Sequence, residues 1–85
     1  MSFFTFLHRL RVEVTEDQRF IEVDYKTASP DALFDICDIN GRILKTGKMS
    51  RRLMRVAVSD LIGSAFVFLI LDGEHIHSRR FTIAR

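Results

Sequence analysis

The sequence predicts an all-β protein, an antiparallel β-sandwich of about seven strands, and three observations lead to this prediction. Apolar and polar residues alternate at a period of two over most of the chain. Turn-forming residues interrupt these runs about every eight to twelve positions, and no stretch has a helical period. The chain has 85 residues, 47% of them apolar, which suits a single domain over residues 1–85. A β-barrel is the alternative arrangement.

Two strands with one apolar face each come first. Polar residues 16–18 form a turn between them, and residues 27–31 form a loop after the second strand. Because alternate residues of a strand share a face, we expect one side of each strand to be buried. The apolar positions are Leu10, Val12, Val14, Ile21, Val23 and Tyr25.

The dipeptide Asn40-Gly41 lies between two apolar runs and predicts a β-hairpin, for which it is the strongest short-range signal. A two-residue loop would place apolar side chains opposite charged ones. A three-residue loop over residues 39–41, closed by Gly41 at positive φ, gives better pairing. The predicted pairs are Asp38 with Arg42, Cys37 with Ile43, Ile36 with Leu44, and Asp35 with Lys45.

The second half of the chain supplies the remaining strands. A basic connection after Gly47 leads to a strand whose apolar residues are Met54, Val56 and Val58. Residues 59–64 are predicted to form a turn. Residues 65–71 are apolar throughout, which is typical of a central strand, and we expect this strand to be the most buried.

The last predicted strand covers residues 75–83 and returns from a tight turn at Asp72-Gly73. Strict alternation would place Arg79 on the same face as Phe81. We therefore predict a β-bulge near residues 78–80, which would turn the arginine away from the core.

Composition and spacing favour no catalytic or metal chemistry. The single cysteine, Cys37, excludes an internal disulfide, and its place in a strand predicts a small core side chain. His75 and His77 share one face of a strand but supply only two metal ligands. Ser59-Asp60 lies in no nucleophile motif. We therefore expect a protein that is not an enzyme, with no cofactor and no metal.

Basic residues are concentrated in two places, although the net charge is only +2. This even balance does not predict nucleic-acid binding. The basic residues either keep an edge strand soluble or contact an anionic partner, such as lipopolysaccharide, phospholipid head groups or an acidic protein surface. The candidate residues are Lys48, Arg51, Arg52, Arg55, Arg79 and Arg80.

The start of the chain, residues 1–9, is apolar and contains Phe3, Phe4, Phe6 and Leu7. We expect this segment to form an extra edge strand or an exposed apolar patch. It lacks the basic region and the cleavage site of a secretory signal, and no stretch reaches the length of a transmembrane helix. The chain is therefore expected to be cytoplasmic, unless the sequence is a fragment of a longer exported protein.

Three short motifs follow one another in residues 33–85. The first is Asp-x-x-Gly-Arg followed by two aliphatic residues, here residues 38–44. The second is a Leu-x-x-Gly-x-Tyr turn, which Leu61 fits, whereas Ser64 stands at the usual glycine and a phenylalanine replaces the tyrosine. The third is a glycine turn at Gly73 followed by a basic final strand. In this order the motifs resemble the C-terminal sorting domain of the type IX secretion system of Bacteroidetes.

The resemblance implies an immunoglobulin-like sandwich that acts as an export address, recognised by an outer-membrane translocon. Its partner would be a protein of the secretion machinery, and the residues most closely tied to that role would be Gly41, Arg42, Leu61 and the final strand. Two other hypotheses remain, a stand-alone module that binds an anionic surface and a homodimer formed by edge strands. We expect a monomer or a weak homodimer.

Overall fold

The described part of the computed structural model, residues 9–85, contains seven β-strands and no helix. The all-β prediction is confirmed. The predicted edge strand or apolar patch at residues 1–9 lies outside the described residues, apart from Arg9, which is exposed. The strands are β1 (Arg11–Val14), β2 (Phe20–Asp24), β3 (Leu33–Asp38), β4 (Ile43–Lys48), β5 (Leu53–Ala57), β6 (Ala65–Asp72) and β7 (His75–Thr82).

The strands form two antiparallel sheets, which confirms the predicted β-sandwich. One sheet has three strands in the order β1-β2-β5, and the other has four in the order β4-β3-β6-β7. In the constant-type immunoglobulin arrangement the fourth strand lies beside the fifth. Here the tight hairpin keeps β4 beside β3, and the immunoglobulin-like topology stays a prediction.

The hydrophobic core lies between the inner faces of the two sheets. The ring of Phe68 stacks on that of Phe34 with centroids 5.2 Å apart, and Phe66 stacks on Phe81 at 5.4 Å. These rings supply large apolar surfaces for burial. The buried apolar residues are Leu10, Ile21, Val23, Tyr25, Ala32, Phe34, Ile36, Met49, Val56, Val58, Leu61, Phe66, Phe68, Ile70, Phe81 and Ile83.

Gly47 of β4 lies directly opposite Phe34 of β3. A Cβ atom at this glycine would lie 2.6 Å from Phe34 Cε2 and 2.8 Å from Cζ. The ring is itself held by its stacking on Phe68. A side chain at position 47 would therefore displace a core ring, which explains why the strand carries a glycine here.

The β3–β4 hairpin has the predicted three-residue loop. Gly41 has a φ of 84°. The N–H of Gly41 donates to the carbonyl oxygen of Asp38 at 3.1 Å, and the N–H of Asp38 donates to the carbonyl oxygen of Arg42 at 2.9 Å. Cys37 pairs with Ile43, as predicted.

Beyond this pair the predicted register is wrong. The pairing shifts so that Leu44 has no partner in the register, and Ile36 lies opposite Lys45 while Asp35 lies opposite Thr46. A β-bulge of this kind leaves one residue unpaired and redirects the next side chain.

The redirected side chain of Lys45 joins the two sheets at their open edge. Its Nζ donates to the carbonyl oxygen of Ala57 at 2.6 Å and to Asp60 Oδ1 at 2.9 Å. The hydrogen bond from Lys45 is the main reason why the pKa of Asp60 lies below its ordinary value. This contact gives a physical reason for the shifted register, because it lies outside the hairpin. The predicted register considered only the pairs within the hairpin.

Strands β6 and β7 pair without a break along all eight residues of each strand. Asp72 lies opposite His75, so the turn is Gly73-Glu74, one position later than predicted. The predicted bulge near residues 78–80 is wrong. Arg79 follows the regular alternation onto the inner side of the sheet, where it stays exposed because β7 is an edge strand.

Cys37 is half-buried on the outer face of the four-stranded sheet. The prediction of a core position is wrong, because the neighbouring Ile36 points into the core and alternation turns Cys37 the other way. Burial, together with the charges of Asp35 and Asp38, raises the pKa of the thiol.

Candidate protein-binding surface

The structure does not bring the predicted partner-binding residues together. Gly41 and Arg42 lie in the β3–β4 turn, whereas Lys48 lies at the far end of β4. Arg79 and Arg80 lie on β7, at the opposite edge of the same sheet. The candidates that precede or belong to β5 in the other sheet are Arg51, Arg52 and Arg55.

The Asp-x-x-Gly-Arg motif builds the β3–β4 turn itself. Asp38 Oδ1 accepts hydrogen bonds from the backbone N–H groups of Asn40 and Arg42 at 2.9 and 3.0 Å. Its Oδ2 accepts one from Arg42 Nε at 3.2 Å. The backbone hydrogen bond from Arg42 is the main reason why the pKa of Asp38 lies below its ordinary value. The aspartate and the glycine of the motif thus have a local structural purpose, and the arginine side chain stays largely exposed.

Arg52, which directly precedes β5, and Arg55, which lies in β5, are each paired with a carboxylate. Arg52 Nε lies 3.0 Å from Asp24 Oδ1, and Arg55 Nη2 lies 3.3 Å from Glu22 Oε2. The Arg55 guanidinium also lies 5.2 Å from the centroid of the Phe20 ring, within the range of a cation–π contact. These pairings reduce the positive charge that this side of the molecule offers to an anion.

An open hollow of about 680 Å³ lies beside these pairs. Guanidinium groups and carboxylates line it in equal number, so the hollow favours neither sign of charge. The charged lining residues are Arg11, Arg51, Arg55, Glu13, Glu22 and Asp24.

The outer face of the four-stranded sheet is apolar over its centre. Val67, Leu69 and Leu71 of β6 point away from the core and are half-buried. An antiparallel sheet usually carries polar residues on its outer face. Apolar residues on the neighbouring strands β3, β4 and β7 also point outward beside these three side chains, so the surface extends over all four strands. We call this surface the apolar outer face, and it consists of Leu33, Cys37, Ile43, Val67, Leu69, Leu71 and Ile76.

Three residues around this face are well exposed. The exposed fraction is 40% for Leu33, 62% for Ile43 and 67% for Ile76. They lie on β3, β4 and β7 and so surround the half-buried centre supplied by β6. A contiguous exposed apolar patch of this kind marks an interaction surface more often than a scattered leucine does.

Charged side chains stand at defined places on this face. Lys48 lies beside Leu33 at one corner, and Arg80 lies beside Val67 on the opposite edge of the sheet. Within residues 9–85 neither side chain forms an ion pair or donates a hydrogen bond. Asp35 places a carboxylate between the two cations. The charges therefore run positive, negative, positive across the face.

A buried carboxylate that sequence reasoning missed lies at the end of β6. Asp72 is fully buried, its Oδ2 accepts hydrogen bonds from Tyr25 Oη and the N–H of Ala28, both at 2.7 Å, and its Oδ1 accepts one from the N–H of Ser29 at 2.8 Å. Burial raises the pKa of Asp72, but the hydrogen bonds outweigh burial and leave it below its ordinary value. Burial and this carboxylate together raise the pKa of Tyr25. The arrangement ties the β2–β3 connection to the end of β6.

The sequence did contain one signal for this carboxylate. Regular alternation from Phe66 through Phe68 and Ile70 places residue 72 on the inner face. An aspartate directly before a glycine is also typical of an exposed turn, and that pattern is the basis of the turn predicted at Asp72-Gly73.

Two histidines, His75 and His77, lie near Tyr25 and Asp72. The His77 ring centroid is 5.4 Å from that of Tyr25 and 6.2 Å from that of His75. In the part of the chain that the structure describes, no three His, Cys, Asp or Glu side chains come together in a way that could hold a metal ion.

Comparisons of the chain with family models, with curated proteins and with solved structures found no match. Over residues 9–85 there is no helix of the length and apolarity needed to cross a membrane. The fold and its surface define a small all-β sandwich with an apolar outer face, and the assignment to a family stays a prediction.

Proposed function

We propose that this chain is a non-catalytic β-sandwich module that binds a protein partner through its apolar outer face. The observation that carries the proposal is that β6 is apolar on both sides, with Phe68 in the core and Val67 and Leu69 facing outward. Removing such a surface from water is favourable by about 25 cal/mol per Å². A partner with a matching apolar surface would therefore gain free energy by covering it.

The chemistry of the reactive side chains supports a non-catalytic role. The thiol of Cys37 has a raised pKa and is therefore mainly protonated at neutral pH, which makes it a weak nucleophile. Tyr25 and Asp72 are buried and donate or accept hydrogen bonds within the fold. These groups are engaged in structure.

The resemblance to sorting domains supplies a class of partner, the secretion machinery of the outer membrane. In support of this, Arg42 of the shared motif is exposed and directly precedes Ile43 of the apolar outer face. A partner seated on that face would reach the arginine. Fusing residues 1–85 behind a signal-bearing reporter in a Bacteroidetes host tests this role, and a reporter retained in the periplasm would exclude it.

The protein-binding role itself is tested by two matched lysine variants. Ile76→Lys places a charge on the apolar outer face, whereas Ile62→Lys places one in the β5–β6 connection, where the residue is 94% exposed. Each tagged variant is expressed in the organism that encodes the chain, crosslinked to its neighbours with formaldehyde in the living cells so that weak contacts are retained, and then affinity-purified for quantitative mass spectrometry. We expect a partner that copurifies with the wild type and with Ile62→Lys and is lost with Ile76→Lys. The same proteins in equal amounts with all three chains would refute the proposal.

A further inference from the structure

We infer that the partner presents an amphipathic helix whose apolar stripe has a carboxylate near each end and a cation near its middle. The inference rests on the proposed function, because it names the chemistry of the partner for the same apolar outer face. The dimensions of the face and the order of its charges carry it.

The width of the face suits one helix. Three strand spacings of about 4.8 Å separate β4 from β7, so the two edge strands lie about 14 Å apart. A helix with its side chains is about 10–12 Å across, so one helix laid along the diagonal from Lys48 to Arg80 covers the centre of the face and has Ile43 and Ile76 at its flanks. Packing a helix on the free face of an antiparallel sheet is one of the common ways in which proteins bury such a face.

The charges of the face set the length of the helix and the order of charges along it. Lys48 and Arg80 are separated by the full width of the sheet and by about four residues along the strands, which places them about 20 Å apart on a diagonal. About 13 residues of helix, at 1.5 Å each, span this distance. Asp35 lies between the two cations, and covering it with an apolar surface alone would leave a carboxylate without a partner.

A second copy of this chain fits the face less well. The face covers roughly 300–400 Å², less than the about 800 Å² that each partner buries in a stable interface, and this area limits a second copy and a helix alike. A two-fold axis across the strands would also bring Asp35 close to its own copy, and like charges repel. An oppositely charged helix avoids this repulsion, and the small area predicts a transient contact of micromolar affinity or weaker.

The test uses two synthetic 16-residue peptides of identical composition and the same leucine stripe. The matched peptide has glutamates near both ends and lysines at the middle, and the reversed peptide has the opposite order. Each is titrated into the full 85-residue chain and followed by the backbone amide signals of β6 in NMR spectra. We expect the matched peptide to bind roughly tenfold more tightly. The double variant Lys48→Glu, Arg80→Glu is expected to reverse the preference. The control Arg19→Glu, Lys26→Glu changes two exposed residues outside the face, with the same change in net charge, and is expected to keep it.

Four results would overturn the inference. Equal affinity for both peptides would show that the face does not distinguish the order of charges on a helix, and the proposed function would not be affected. No binding of either peptide at millimolar concentration would exclude a helical occupant. A dimer in sedimentation that Ile76→Lys dissociates would show that a second copy covers the face. Binding that starts only after Phe4→Ser and Phe6→Ser would show that residues before Arg9 occupy it.

Discussion

Replacing Asp72 with asparagine is expected to lower the free energy of unfolding by about 2–4 kcal/mol. Asparagine keeps the size of the side chain but offers one acceptor oxygen where the carboxylate offers two. Asp72 Oδ2 accepts hydrogen bonds from Tyr25 and Ala28, and its Oδ1 accepts one from Ser29. Whichever way the amide is turned, a backbone N–H loses its acceptor, at a cost of about 1–3 kcal/mol, and the remaining hydrogen bonds lose their charged acceptor.

The same carboxylate makes stability depend on pH. The pKa of Asp72 lies below its ordinary value in the folded protein, because the hydrogen bonds outweigh burial. A carboxyl whose pKa falls on folding stabilises the fold above its unfolded pKa and loses that contribution as the pH falls through its folded pKa. The wild type should therefore lose stability below about pH 4, and the difference from Asp72→Asn should shrink there.

Urea unfolding followed by far-ultraviolet circular dichroism measures both effects, since the chain has no tryptophan. Asp31→Asn removes the same charge at an exposed site and serves as the control. Tyr25→Phe removes one donor and should cost about 1–2 kcal/mol. If Asp72→Asn lies within about 0.5 kcal/mol of the wild type at pH 7, the hydrogen bonds do not stabilise the fold as argued.

Three further predictions concern single residues. Gly47→Ala should displace the Phe34 ring, lower the free energy of unfolding by about 1–3 kcal/mol and lower the Tm by several degrees. Adding Phe34→Leu should restore part of this loss, whereas an unchanged Tm in Gly47→Ala would contradict the close contact. Gly41→Ala meets no atom within 4 Å but must adopt a φ near 84°, so we expect a loss of about 1–2 kcal/mol in urea unfolding and a smaller one for Gly41→Asn. Cys37 should react with a thiol reagent more slowly than free cysteine at pH 7.5 and faster as the pH rises, and a rate equal to that of free cysteine would show that burial does not raise its pKa.

The sequence predicted those parts of the fold that depend on local chemistry. Asn40-Gly41 set the loop of the β3–β4 hairpin because positive φ at a glycine is a property of the turn itself. Alternation predicted the inner faces of β2 and β5 for the same reason, since the period of two belongs to every strand.

Features that depend on the other sheet could not be predicted in this way. The bulge at Leu44 accompanies a contact from Lys45 to Asp60, which is fifteen residues further along the chain. The burial of Asp72 depends on Tyr25, 47 residues away. The apolar outer face had a visible signal in the unbroken apolar run of residues 65–71, but the same run is also typical of a strand that the fold covers on both sides.

Arg79 has a consequence for the solubility of the chain. Among the strands of residues 9–85, β7 is long, regular and at the edge of its sheet, and an edge of this kind is a template onto which another chain can add a strand. A charged side chain on the inner side of an edge strand opposes such growth, because an added strand would trap the charge away from water. The arginine that breaks the apolar pattern of the final strand thus protects the folded protein from aggregation while it is free in solution.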